Sequence, residues 1–427
     1  MAFGSGDVPN GPIRSLPPAN GNGGLHPHGP LSVRYIASMS TFAGGTATYN
    51  DRLVKELIRQ GDRVVLQSDR VSLSAIGRQS YVQPVWTRDA RYPLQNFLAA
   101  RRSGGHDVVH VQHEFNLFGG PSTALVFPAM LDLLRIMDRP VVTTLHGVLS
   151  RDAIHDARIL AGVSVPPYVA WQLFSRLQRS IVSESDAVIV HDAYFRDVLV
   201  NECGARRESI HVIRHGVPVN LPRPSTADAR ARCGIRPDAT VLLSFGYLAK
   251  YKGLETLLDA FNRVAPERPN LELIVAGGPP ARSAGDAEAY RASLEARIAP
   301  GLRQHVRFVG HVPEADVGIW FATADLVVLT HAVPLAASGV LALAQGFGCA
   351  VVAPAIPPFL DSVTAKETLF RAGSDEDLAR VLDSIVRDPS RIGPLTEASR
   401  RDGLRDSWQA VARQHHELYE SLVTMRN

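Results

Sequence analysis

The order of strand and helix signals constrains this chain most, because the same order occurs twice. In the first half the apolar run LSVRYIA (31–37) leads through a Gly-Gly loop into a helical pattern. Tyr49, Leu53, Val54, Leu57 and Ile58 recur at helical spacing, and Gly61 ends the run. RVVLQ (63–67), DVVHV (107–111), PVVTTL (140–145), DAVIV (186–190) and IHVI (210–213) follow as short β-branched runs, with helical stretches between several of them. Strands alternating with helices specify a parallel sheet in an α/β domain. The order restarts at TVLLSF (240–245), where Gly246 opens a loop and Lys252-Gly253 leads into a helix with Leu254, Leu257, Leu258, Phe261 and Val264 on one face. LELIVAG (271–277), VRFVG (306–310), DLVVLT (325–330) and AVVA (350–353) are its further strands. The chain therefore reads as two Rossmann-like domains in tandem, residues 31–218 and 219–404, meeting in the turn-rich segment HGVPVNLPRPS (215–225). Residues 405–427 form an amphipathic final helix. Ligands of open α/β sheets bind at the carboxyl ends of the strands. Two such domains face to face give a deep cleft, with glycine loops and helix N-termini offering N–H groups to an anion on both sides.

Composition removes several classes of function. At 427 residues, two or three domains are expected. Lys plus Arg number 45 and Asp plus Glu 42, and a net charge of +3 does not argue for nucleic acid. Cys203, Cys233 and Cys349 are odd in number and form no CxxC pair, which argues against a disulfide framework or structural zinc and fits a reducing cytoplasm. No apolar run reaches the ~18 residues of a spanning helix. Residues 1–30 hold 7 Gly and 6 Pro, with no basic-then-apolar order of a secretory leader, and are expected to be a disordered tail.

Several motifs fall at the expected cleft. FAGGTATY (42–49) places Gly44 and Gly45 where the backbone can approach a ligand closely. HDVVHVQHE (106–114) ends in His110, which reads as a core histidine, and in His113 and Glu114, which lie further out; Asp107 reads as structural. PVVTTLHGV (140–148) presents His146 after a strand, and FGYLAKYKGLE (245–255) sets Lys252 at a helix start, suited to phosphate by charge and aligned N–H groups. VRFVGHVPEADVGIWFATADLVVLTH (306–331) and ASGVLALAQGFGCAVVAP (337–354) complete the set. Each glycine loop taken singly reads better as an ordinary strand–helix turn, whereas two at equivalent places in the repeated halves are more telling than either alone. Asp375-Glu376-Asp377 precedes LARVLDSIV and reads as helix capping rather than as a metal site.

Over residues 31–427 these motifs resemble the family 4 glycosyltransferases, α/β enzymes of the GT-B fold with two tandem Rossmann-like domains facing across a cleft. The resemblance implies transfer of a sugar from a nucleotide diphosphate sugar to a glycan, lipid-linked or small-molecule acceptor, with retention. It implies no metal and no cofactor beyond the nucleotide-sugar co-substrate, and a final helix (405–427) that crosses back onto the N-terminal domain. His146 and Lys252 are then the catalytic candidates, meeting the donor sugar and its phosphates. Gly44, Gly45, Gly246, Tyr247, Lys250 and Gly253 belong to the donor loops, while Gly310, His311 and Val312 receive the base through the backbone. Ser338 and Gly339 hold the sugar, Asp361 is a substitute carboxylate, and His113 and Glu114 lie on the acceptor side. Two departures stand out. Tyr247 replaces the usual arginine of G-R-L-x-x-x-K-G, and Leu335 and Leu343 occupy the positions of the two usual glutamates. They motivate an alternative, a weakened relative that binds nucleotide or glycan or supports a partner; a phosphorylase or epimerase is a third reading. RYPLQNFLAARR (91–102), with Arg91, Arg101 and Arg102 beside Leu94, Phe97 and Leu98, reads as a surface helix or as a peripheral membrane contact on the inner face.

Overall fold

A computed structural model describes residues 29–39, 45–70, 79–156, 165–278 and 284–426. The tail expected over 1–30 falls almost wholly outside these residues, as does Gly44. The first sheet comprises β1 (Ser32–Ile36), β2 (Arg63–Asp69), β3 (Val82–Trp86), β4 (Val108–His113), β5 (Val141–Leu145), β6 (Ala187–Val190) and β7 (Ile210–Val212), in the order β3-β2-β1-β4-β5-β6-β7. The second comprises β8 (Thr240–Phe245), β9 (Leu271–Ala276), β10 (Val306–Gly310), β11 (Leu326–Val328), β12 (Ala350–Pro354) and β13 (Leu369–Phe370), in the order β10-β9-β8-β11-β12-β13. Every strand pair is parallel.

The strands are apolar throughout because helices cover both faces of each sheet. Successive residues alternate between the two cores. Val109 and Val111 of β4, Val141 of β5 and Val188 and Val190 of β6 enter one core, whereas Val108, Val142, Ala187 and Ile189 enter the other. The second domain repeats this, with Leu242, Leu326 and Val328 on one side and Val241, Leu243 and Val327 on the other.

The helix Trp408–Arg426 does not stay with the domain that precedes it. Trp408, Val411, Ala412, Leu418 and Tyr419 share a core with β1 and with the helix Gly45–Gln60. His416 Nδ1 meets the Asp62 carboxylate at 2.9 Å, and the Gln60 amide donates to Gln409 O at 2.9 Å. At the crossing, Val217 N donates to Asp406 O and Trp408 N to Val217 O, so the two inter-domain connections run paired.

Three sequence expectations need correction. β3 went unread because VQPVW carries Pro84; proline removes a ladder donor and is tolerated here because β3 is an edge strand. β13, also at an edge, has only two residues and no pattern to detect. The run DLVVLT stops as a strand at Val328, and Thr330 serves a different purpose described below. Among the described residues no helix is long and apolar enough to cross a membrane.

Candidate active site

The second sheet reverses its strand order at the seam between β8 and β11, because the chain runs outward from β8 through β9 to β10 and returns on the other side. Loops leaving two such neighbours diverge and open a crevice. The loop after β8 is shaped by glycines. Gly246 has φ +115° and its N–H donates to Ala276 O at 2.9 Å. A Cβ on Gly277 would lie 1.8 Å from Gly246 O, so only glycine permits these backbones to touch. Gly253 has φ +64°, and a Cβ there would lie 2.3 Å from Thr330 O. The turn Lys250–Lys252 is thus pressed against the loop after β11. Thr330 Oγ1 donates to Lys252 O at 2.7 Å, and Ala332 N donates to Tyr251 O at 3.0 Å.

That contact delivers Lys252 to the crevice. Its Nζ lies 2.7 Å from His331 Nε2 and 5.4 Å from the centre of the Tyr251 ring. Burial lowers the Lys252 pKa to about 8. Burial, and then the neighbouring ammonium, hold His331 well below the usual histidine range. Among the described residues Lys252 forms no ion pair with a carboxylate. Ser244, Gly246, Tyr247, Lys252, Thr330 and His331 line a small cavity here.

The first domain forms the facing wall. His146 follows β5, and its N–H donates to His113 O at 3.0 Å. Here the domains touch: Val148 N donates to Leu335 O, and Gly147 bridges to Ala336. The His146 ring is buried with both nitrogens engaged, Nε2 to Gln112 Oε1 at 2.7 Å and Nδ1 to His191 Nε2 at 3.3 Å. Gln112 Nε2 meets His110 Nε2 at 2.9 Å, and His110 Nδ1 meets the Tyr419 hydroxyl at 2.5 Å. A polar chain therefore runs from the final helix to the cleft. Tyr49, from the helix after the first glycine loop, packs its ring 4.6 Å from His146 and 5.2 Å from both His191 and His215. Burial lowers His191 to about 4 and His215 to about 3, so these rings are neutral at physiological pH.

Residues 225–402 match the family described as Glycosyl transferases group 1, and residues 43–221 match Glycosyltransferase Family 4. The two matches meet at the inter-domain linker and between them take in both walls of the cleft. The chain belongs to the family 4 glycosyltransferases. A D-inositol 3-phosphate glycosyltransferase of Catenulispora acidiphila is 27% identical over 334 residues, 76% of this chain and 74% of that protein. Another, from Jonesia denitrificans, is 25% identical over 75% of this chain and 73% of its own length. Among solved structures, sucrose-phosphate synthase of Thermosynechococcus elongatus has a TM-score of 0.71 at 20% identity, covering 92% of this chain and all of that one. Anabaena Alr3699/HepE in complex with UDP has a TM-score of 0.70 at 20% identity and the same coverage. These structures show the GT-B fold.

The remaining site residues of this glycosyltransferase are distributed unevenly. Gly45 opens the helix that carries Tyr49. Tyr247 and Lys250 are exposed beside Lys252, and Glu114 acts across the cleft on the Tyr251 phenol, adding to the rise that burial imposes. Gly310 has φ +81° at the end of β10, followed by exposed His311 and buried Val312. Ser338 caps the helix Gly339–Gly346, its hydroxyl accepting from Leu341 N at 3.3 Å. Asp361 is exposed, and its carbonyl accepts from Arg214 of the first domain at 2.8 Å. His113 corrects the sequence expectation. It is 1% exposed, its ring packs 4.4 Å from Phe127, and burial drops its pKa to about 3. It sits in the core because β4 runs on to it as its last residue, rather than on an open acceptor surface. Asp375, Glu376 and Asp377 open a helix capped by Ser374, with Asp375 paired to Arg263 and Asp377 to Arg380.

Both unusual leucines have a packing reason. Leu335 lies against the core of the first domain, and Leu343 against a core of the second. Gln112, His191, His215 and His331 were not singled out from sequence. His191 and His331 close the runs VIVH and VVLTH, the same strand-then-histidine signal that pointed to His146.

Proposed function

We propose that this glycosyltransferase takes its sugar from a nucleoside diphosphate sugar and passes it, with retention and without a metal, to a hydroxyl of a glycan, lipid-linked or small-molecule acceptor. One observation carries the donor reading. Among the described residues, a desolvated lysine without a carboxylate partner stands at the sheet's reversal point, where Gly253 alone lets the loop after β8 press against the loop after β11. Fixed positive charge of this kind serves an anion that arrives and leaves. HepE, solved with UDP and with UDP-glucose, supports a uridine nucleotide as the first to test. The inositol 3-phosphate relatives make a small phosphorylated polyol one acceptor to include.

In this reading the bond between the anomeric carbon and the β-phosphate oxygen breaks, and its electron pair goes to that oxygen. The acceptor oxygen bonds the same face, and its proton passes to the departing phosphate. Lys252 and the N–H groups of the loops at 45 and 246–253 stabilise the growing phosphate charge. Gly310, His311 and Val312 take the base through the backbone, and Ser338 and Gly339 hold the sugar. Glu114 faces the acceptor. With both ring nitrogens held by Gln112 and His191, His146 borders the sugar as a fixed ring rather than as a free donor. Asp361 is the nearest candidate to replace the lost glutamates, and Asp361→Asn tests that role.

The test is nucleotide release from UDP-, GDP- and ADP-sugars in the presence of EDTA, followed by chromatography, with Lys252→Ala in parallel. Consumption of one donor, abolished by the substitution, is the expected result. Nucleotide binding without consumption of any donor favours the second reading, a binding or supporting relative, for which the packed Leu335 and Leu343 speak.

A further inference from the structure

The donor crevice has one conspicuous shortage and one unused group. A diphosphate diester brings two negative charges, yet the arginine position of the family motif holds Tyr247, leaving Lys252 as the one Lys or Arg lining the cavity among the described residues. The unused group is His331. It is 9% exposed, lines the same cavity, and holds Nε2 2.7 Å from Lys252 Nζ. Its Nδ1 is buried and has no hydrogen-bond partner among the described residues. An unmet ring nitrogen there is a cost that a bound oxygen removes.

We propose that Lys252 and His331 form one phosphate-binding pair in which His331 becomes the second cation, taking up a proton as the nucleoside diphosphate enters. This rests on the donor-site reading above. With the crevice empty, the ammonium donates to Nε2 and the imidazole stays neutral, because two adjacent buried charges of like sign repel. Phosphate oxygens beside the pair reverse that balance. Lys252 turns its N–H groups toward one phosphate, Nε2 takes a proton from solvent, and both ring N–H groups become donors. The charge ready for the diphosphate then equals that of the Arg–Lys arrangement. Among the described residues the groups facing the pair are few. Tyr251 and exposed Lys250 lie on the lysine's own turn, exposed Tyr247 on the loop after β8, and Phe359 packs 5.2 Å from the His331 ring. Glu114 acts from the opposite domain on Tyr251. None of them is a carboxylate bonded to either member of the pair, so the incoming phosphate is what changes its proton content.

Calorimetric titration of the full chain with UDP at neutral pH, in two buffers of different ionisation enthalpy, reads this directly. The wild type is expected to take up roughly one proton more per UDP than His331→Gln or His331→Asn. Both variants keep a polar atom beside Lys252 and are checked for folding by circular dichroism. They are expected to bind UDP roughly tenfold more weakly, with the difference from wild type shrinking as pH rises. Equal proton uptake in wild type and variants overturns the pairing while leaving the donor site standing. Absence of UDP, GDP and ADP binding to folded wild-type protein overturns the donor reading and this inference with it.

Discussion

Gly253 and Gly234 have nearly the same backbone, φ +64°, ψ +36° and φ +62°, ψ +41°, but very different surroundings. A Cβ on Gly234 meets nothing within 4 Å, whereas one on Gly253 lies 2.3 Å from Thr330 O. Alanine at either position incurs the left-handed strain of roughly 1–2 kcal/mol. Less unfolded-chain entropy offsets about 0.4–1 kcal/mol of it. Gly234→Ala should therefore destabilise by about 1 kcal/mol or less. Gly253→Ala must also push the loop after β11 back by about 1 Å to reach ordinary contact distance. That breaks the Thr330 Oγ1–Lys252 O and Ala332 N–Tyr251 O hydrogen bonds, each worth about 1 kcal/mol. The difference between the variants should be about 2 kcal/mol by urea denaturation. Because those bonds also place Lys252 against His331, UDP affinity should fall at least roughly tenfold in Gly253→Ala and stay unchanged in Gly234→Ala. Equal destabilisation of the two variants, or wild-type UDP binding by Gly253→Ala, would refute the claim that close backbone approach builds the site.

Lys252→Met should stabilise the ligand-free protein near neutral pH while removing nucleotide affinity. Burial holds the folded-state pKa near 8, below that of the unfolded chain, so keeping Lys252 charged costs stability below pH 8. That cost fades as pH rises through 8 toward 10.5, so the advantage of the methionine should shrink over the same window, as read by urea midpoints across pH. Gln112→Leu removes the link between His146 and His110 and leaves the buried His146 Nε2 without its partner, while His110 Nε2 keeps the Thr144 hydroxyl at 2.8 Å, which should destabilise by about 1–3 kcal/mol in urea. Leu335→Glu, which restores the usual family residue, should lower the thermal midpoint without raising donor consumption, because position 335 packs against the first domain's core. A gain in activity would show that the cleft retains room for a carboxylate.

Both sheets were legible because their strands are buried on two faces and read as unbroken β-branched runs between helices. β3 and β13 were not, since an edge strand needs no such run, and Pro84 argues locally against one. Lys252 and its glycine were legible from residue type and spacing. The rest of the site depends on contacts between segments far apart in the chain. Nothing near His331 says that Gly253 will press against Thr330, 77 positions away, and carry Lys252 to it. Nothing near Tyr419 says that the final helix will return to His110. His113 misled because the β-branched run DVVHV stops at Val111, whereas β4 runs on to His113 and turns the ring inward. Leu335 and Leu343 looked like lost function in the sequence, and the structure gives both of them apolar neighbours.

The central claim is that a nucleoside diphosphate lies in the crevice between the loops after β8 and β11. A crystal structure of the protein with UDP, grown in EDTA, tests it most directly. The account predicts the diphosphate within hydrogen-bond distance of Lys252 Nζ and His331, with the base at Gly310–Val312. Diphosphate bound elsewhere in the cleft, with Lys252 still directed only at His331, would contradict it.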